Sequence, residues 1–138
     1  MDIEKYQKVY KGLVDYNKAT KPNYGNTVLD QPPFWGEQEE LTYPMTIFEE
    51  IRNVATSFDF MHERVASVGY RVDILSKDKA KANKQQIARE LAQMVNNYLS
   101  KQGLSRVSYN SDVLFDRTTY HIVMTFSGNL SENRGKFI

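Results

Sequence analysis

The chain has 138 residues and no cysteine; 41% of its residues are hydrophobic, 25% are charged, and the mean hydropathy is −0.59. That length suits one domain with its own hydrophobic core. The lack of cysteine excludes disulfides and thiolate metal sites, and the short apolar runs exclude a helix that spans a bilayer. The formal net charge of +1 is unevenly spread. Residues 1–29 sum to +2. Residues 30–63 set eight acidic groups (Asp30, Glu37, Glu39, Glu40, Glu49, Glu50, Asp59 and Glu63) against Arg52 and sum to −7; residues 64–106 sum to +6 and residues 107–138 to zero. Consecutive segments of opposite sign are either solvated faces or two halves of a self-complementary contact. Met1–Lys5 opens with charge and has no apolar signal core, so assembly in a cytoplasm is expected.

Residues 1–16 are expected to open the domain with a helix over Asp2–Tyr16. Ile3, Tyr6, Tyr10, Leu13 and Val14 share one face, and Gly12 weakens the helix by about 1 kcal/mol relative to Ala. Residues 17–40 read as a long loop, punctuated by Pro22, Gly25, Asn26, Pro32, Pro33 and Gly36. Trp35, the only tryptophan, is either an anchor into the edge of its own core or a partner contact. Residues 41–130 then carry the sheet and the main helix. Thr42–Val54 reads as a strand that Pro44 can begin, since proline donates no ladder hydrogen bond. Met45 and Ile47 lie on one side of it, Thr46 and Phe48 on the other. Ala55–His62, with Phe58 and Phe60, reads as a hairpin tip or short turn.

Arg64–Ser76 is the strongest strand, with Val68, Tyr70, Val72 and Ile74 alternating with Ser67, Gly69, Arg71 and Asp73. A charged corner from Lys77 to Lys84 leads into a helix with Ile87, Leu91, Met94, Val95, Tyr98 and Leu99 on one face. It ends near Gln102, with Gly103 placed as a C-terminal cap. Ser105–Tyr109 reads as short and extended, Asn110-Ser111-Asp112 as a turn, and Arg117–Leu130 as the last long strand. Residues 131–138 read as a polar tail, frayed or draped over a neighbour. The expected fold is α+β: a mostly antiparallel sheet of about four strands with two helices on one face, in the order α-β-β-α-β-β. Val68, Tyr70, Val72 and Ile74 should then face Ile87, Leu91, Val95 and Leu99.

Signals for catalysis are weak. There is no glycine-rich phosphate loop and no G-x-S-x-G elbow. His62 and His121 have no metal-ligating neighbour at helical or hairpin spacing and read as surface or satisfied histidines. The best catalytic constellation is Glu49, Glu50, Asp73 and Lys77, which a metal-dependent nuclease would use to hold Mg²⁺ and orient water. Against it, Asp73 sits on the polar face of its strand, where a partner such as an arginine is the commoner explanation. Arg71 and Arg117 with Tyr70 and Tyr120 would make a nucleic-acid platform, but tyrosines on apolar strand faces are more often core.

Several stretches together carry a resemblance. They are Tyr43-Pro44 with Phe48-Glu49-Glu50-Ile51-Arg52-Asn53, Val68-Gly69-Tyr70-Arg71-Val72-Asp73-Ile74-Leu75-Ser76-Lys77, and Ile87-Ala88-Arg89-Glu90-Leu91 followed by Val95-Asn96. Gly103-Leu104-Ser105-Arg106, Leu114-Phe115-Asp116-Arg117 and Thr125-Phe126-Ser127-Gly128 complete the pattern. Over residues 40–130 the chain resembles the tail terminator and head–tail joining (neck) proteins of long-tailed bacteriophages. The resemblance implies a virion structural protein with no catalytic residue, metal or cofactor. It implies a homo-oligomeric ring, commonly of six copies, that caps the tail tube protein and meets the head connector or head completion protein, while DNA passes through the lumen without sequence-specific binding.

A ring needs two different patches on each subunit. The charge split offers them: Glu37, Glu39 and Glu40 against Lys79, Lys81 and Lys84, with Trp35, Phe58 and Phe60 as apolar contacts. Residues 17–40 and 55–62 are accordingly expected to order mainly against neighbouring subunits. The alternatives are another neck or tail subunit, of head-completion or tail-tube-like type, and, further off, the nuclease.

Overall fold

The computed structural model describes residues 3–24, 26–29, 43–58, 64–79, 82–113, 118–131 and 134–138. The fold is α+β, two helices with a mixed, mostly antiparallel curled sheet. Helix α1 (Ile3–Thr20) is followed by a 3-10 turn (Pro22–Tyr24) and strand β1 (Thr27–Leu29). Strands β2 (Met45–Phe58) and β3 (Arg64–Ser76) come next, then helix α2 (Lys84–Lys101) and strands β4 (Ser105–Val113), β5 (Tyr120–Ser131) and β6 (Lys136–Phe137). The sheet order is β1-β2-β3-β5-β4, with β6 paired to β5. All pairings are antiparallel except β1 on β2. Register shifts at Glu50/Arg52, Ala55/Ser57 and Arg106/Ser108 add residues to one strand of a pair, which bends the ladder and increases its twist.

One face of the sheet carries the main core. Phe48, Val68, Tyr70, Val72 and Ile74 meet Ile122, Met124 and Phe126 of β5, and are covered by Leu91, Val95 and Leu99 of α2 and by Val9 and Leu13 of α1. Ile87 is buried as well but lies outside this cluster. Tyr98 packs sideways on Tyr16 of α1, ring centroids 5.5 Å apart, because α2 turns one flank to the other helix. Helix α2 starts at Asn83, whose side chain accepts from Gln86 N at 2.8 Å, and Asp78 Oδ1 accepts from Lys84 N at 2.8 Å. These bonds satisfy donors that a helix start leaves without intrahelical partners. It stops at Gly103, φ 98°, where Gly103 N reaches Ser100 O (3.0 Å) and Leu104 N reaches Leu99 O (3.1 Å). That is a Schellman cap, with buried Leu104 supplying its apolar contact.

Several expectations need correction. Strand β2 runs on to Phe58, opposite Arg64 of β3, so Ala55–Phe58 is ladder rather than the hairpin tip or turn expected over Ala55–His62, whose remaining residues lie outside the described ones. Helix α1 runs a turn past Tyr16, and its buried stripe includes Val9 and Asn17. Asn17 Nδ2 donates to Thr27 Oγ1 (3.2 Å) and Tyr10 Oη to Thr27 O (3.0 Å), so the supposed loop is tied by polar bonds to a parallel edge strand. Part of residues 17–40 is therefore ordered within its own fold. The proposed turn at Asn110-Ser111-Asp112 is strand, because pairing with β5 continues to Val113↔Tyr120 and overrides the local turn preference. The tail forms β6, and Phe137 meets Tyr70 edge-on at 6.2 Å. The second sheet face is also partly covered: Met45, Ile47 and Leu75 form a smaller core with Val28 and Tyr43.

Candidate functional site

The sheet has two edges without a strand partner among the described residues. On one side β4 ends the sheet, and its outer edge is unpaired over its whole length. On the other side β1 covers β2 only from Thr46 to Phe48, leaving the rest of that edge uncovered to Phe58. Both carry exposed apolar side chains: Val107 (66% exposed), Tyr109 and Val113 on β4, and Ile51 (51%) and Val54 (53%) on β2. Edges of monomeric sheets are commonly blunted by charge, proline or a covering loop.

Beside the β4 edge, between β4 and α2, lies an open groove of about 340 Å³ lined by Arg89, Ala92, Gln93, Arg106 and Tyr109. Arg89 and Gln93 come from the exposed side of α2, one turn apart. Arg106 and Tyr109 stand opposite Phe126 and Met124 of β5 and so point to the helix side. Three residues apart in a regular strand they would point to opposite faces; the extra residue at Val107 in the Arg106/Ser108 bulge brings them to one. The Arg106 guanidinium lies over the Tyr109 ring at 5.5 Å. Neither arginine has a carboxylate partner among the described residues.

The nuclease constellation is dispersed. Glu49 stands opposite Arg71, on the sheet face away from the helices, whereas Glu50 stands opposite Tyr70 on the helix face. Burial holds the Glu50 carboxyl above its ordinary range, with a side-chain bond from Asn53 only partly offsetting this. Lys77 lies over the Tyr43 ring at 4.7 Å instead of near Asp73. Asp73 accepts from Arg71 Nε at 2.7 Å, Arg71 Nη2 at 3.0 Å and His121 Nε2 at 2.8 Å. Burial raises the pKa of this carboxyl, but the bonds from His121 and Arg71 and the arginine charge outweigh that and hold it below the usual range. Such a carboxylate, already holding three donors, anchors β3 to β5 and has little capacity left for a metal. No group of three or more acidic or histidine side chains among the described residues is placed to hold one.

Of the proposed interface residues, Trp35, Glu37, Glu39, Glu40, Phe60 and Lys81 lie outside the described residues. Phe58 ends β2, and its side chain is likewise not described. Lys79 is exposed, in an isolated bridge to Ala82. Lys84 opens α2 and pairs with Asp78 at 3.7 Å, so part of its charge is matched locally. Sequence reasoning missed the groove: Arg89 reads as an ordinary outer-face charge, and no pattern signals the bulge that turns Arg106 and Tyr109 together. No protein-family model matches the chain, and no curated protein matches it significantly.

Proposed function

We propose that the protein is a structural subunit of a phage virion, a tail terminator that assembles as a ring of about six copies between tail tube and head connector. What supports the reading is a pair of edges, at opposite sides of one curled sheet, that have no strand partner among the described residues and bear exposed apolar residues. Edges on opposite sides are what a heterologous, head-to-tail contact requires, and such contacts close into rings when the rotation per subunit allows. In this reading β4 of one copy meets β2 of the next, which removes both edges from water. The protein in this reading needs no catalytic group and no cofactor, and a lumen that passes DNA would favour neutral or repulsive side chains over clustered lysine and arginine, which would hold the phosphates.

Size-exclusion chromatography with light scattering tests this on the full chain, alone and with tail tubes. A closed oligomer is expected in at least one of the two conditions. Val107→Lys puts a charge on the β4 edge, where side chains are exposed and the fold is little affected, and should abolish the oligomer while leaving circular dichroism unchanged. A chain that stays monomeric in both conditions, or a Val107→Lys variant that assembles normally, overturns the edge-to-edge ring.

A further inference from the structure

We infer that the groove between α2 and β4 is an acceptor site for an acidic peptide segment, and that its occupant is the Asp30–Glu40 stretch of a second copy of this chain. The inference rests on the ring reading and names the contact that would orient it. Arg89 and Arg106 face one groove without a carboxylate partner among the described residues. Guanidinium groups present planar, two-pronged donors matched to carboxylates, and a cavity of about 340 Å³ accepts one or two side chains. Asp30-Gln31-Pro32-Pro33-Phe34-Trp35-Gly36-Glu37-Gln38-Glu39-Glu40 supplies the matching chemistry. It has four carboxylates, no cation, and two aromatic rings able to stack on an arginine plane or on Tyr109.

Geometry favours the neighbour over the same chain. The segment joins Leu29, the end of β1, to Tyr43 before β2, on the sheet edge opposite β4. Four strand spacings separate β1 from β4, about 19 Å in all. Residues 30–42 fully extended cover about 44 Å, so crossing the sheet and returning would use nearly all of that length. A same-chain segment would have to be drawn out nearly straight to set a residue or two in the groove, at a large cost in chain entropy. In a head-to-tail pair the β1/β2 edge of one copy is brought beside the β4 edge of the next, and the detour vanishes. Donor and acceptor thus sit on opposite edges of one subunit, as a heterologous contact needs.

The experiment uses a fluorescein-labelled synthetic peptide of residues 30–41 and, as acceptor, the full chain carrying Glu37→Lys, Glu39→Lys and Glu40→Lys, which disables its own segment. Fluorescence anisotropy should show saturable binding that weakens at least tenfold when Arg89→Glu and Arg106→Glu are added. Circular dichroism and thermal melting would establish that these exposed substitutions leave the fold intact. A scrambled peptide of the same composition should bind at least tenfold more weakly. No binding, equal binding of the scrambled peptide, or tighter binding of a thymidine oligonucleotide at the same site overturns the proposal. The ring reading is judged separately, from the oligomeric state of the natural chain: a closed oligomer with no peptide binding sinks the groove alone, while peptide binding by a strict monomer sinks the ring and, with it, the second copy as occupant.

Discussion

At Gly12 two residue-scale effects oppose each other. Helix propensity alone makes Gly12→Ala stabilising by about 1 kcal/mol, but a methyl there would overlap the Tyr98 hydroxyl of α2. Tyr98 would then have to leave its contact with Tyr16. Gly12→Ala is therefore expected to destabilise in the natural background and to be neutral or stabilising in a Tyr98→Ala background, which removes both the hydroxyl and the ring carbon 2.9 Å from the added methyl, a coupling that a denaturant double-mutant cycle measures. Asp73 gives a second prediction. Its carboxyl is held below its unfolded value, so the stabilisation it provides is present above about pH 4 and is lost as the pH falls through its folded pKa. Asp73→Asn should be destabilising at pH 7, and the gap to the natural protein should narrow progressively below about pH 4. A gap that stays constant from pH 7 to pH 2 in urea titrations would show that the Arg71 and His121 contacts do not favour the charged form.

Of the two helices, α2 carries more of the packing. Leu91 is fully buried against the β3–β5 face, so Leu91→Ala should cost about 2–5 kcal/mol, the lost transfer energy plus the cavity left behind. Val107→Ala on the exposed β4 edge should stay within about 0.5 kcal/mol for the monomer. Similar denaturation midpoints for these two variants would mean that α2 does not dock as described. Helix α1 is held differently, by polar bonds at its margins as well as by Val9 and Leu13. Tyr6 Oη donates to Phe48 O at 3.0 Å, and Lys21 and Tyr24 both reach Glu90 of α2, at 2.7 and 3.1 Å. The first of these bonds is half-buried and the Lys21 pair is exposed, so Tyr6 should matter more to stability than the ion pair.

For the whole molecule the charge split matters most. If the acidic stretch of residues 30–40 meets Arg89 and Arg106 of the next copy, the contact joins the −7 and +6 segments of the sequence. Exposed ion pairs weaken as the screening length falls from about 10 Å at 0.1 M salt to about 3 Å at 1 M. The oligomer should therefore dissociate at higher protein concentration in 1 M NaCl than in 0.1 M, a shift that analytical ultracentrifugation reads directly. Single reversals among Lys79, Lys84 and their like should change little, at about 0–1 kcal/mol each. An assembly indifferent to salt would place its free energy in the apolar edges instead.

The α+β class, the central strand from Arg64 to Ser76, the inward face of β5 and helix α2 to its glycine cap were legible in the residues alone. In each, side-chain periodicity and local capping chemistry point the same way, so tertiary context had nothing to overrule. Strand β1 and strand β6 were not legible, because three- and two-residue strands contain no period and exist only through the neighbours they pair with. Nor was the continuation of β4 through Asn110-Ser111-Asp112, where a nine-residue ladder outweighs a local turn preference. The groove belongs with these. Arg106 and Tyr109 share a face only because a bulge shifts the strand by one residue, and Arg89 reaches them only because α2 crosses the sheet there. Both facts depend on contacts between residues far apart in sequence, which a period of two or 3.6 along a single segment does not encode.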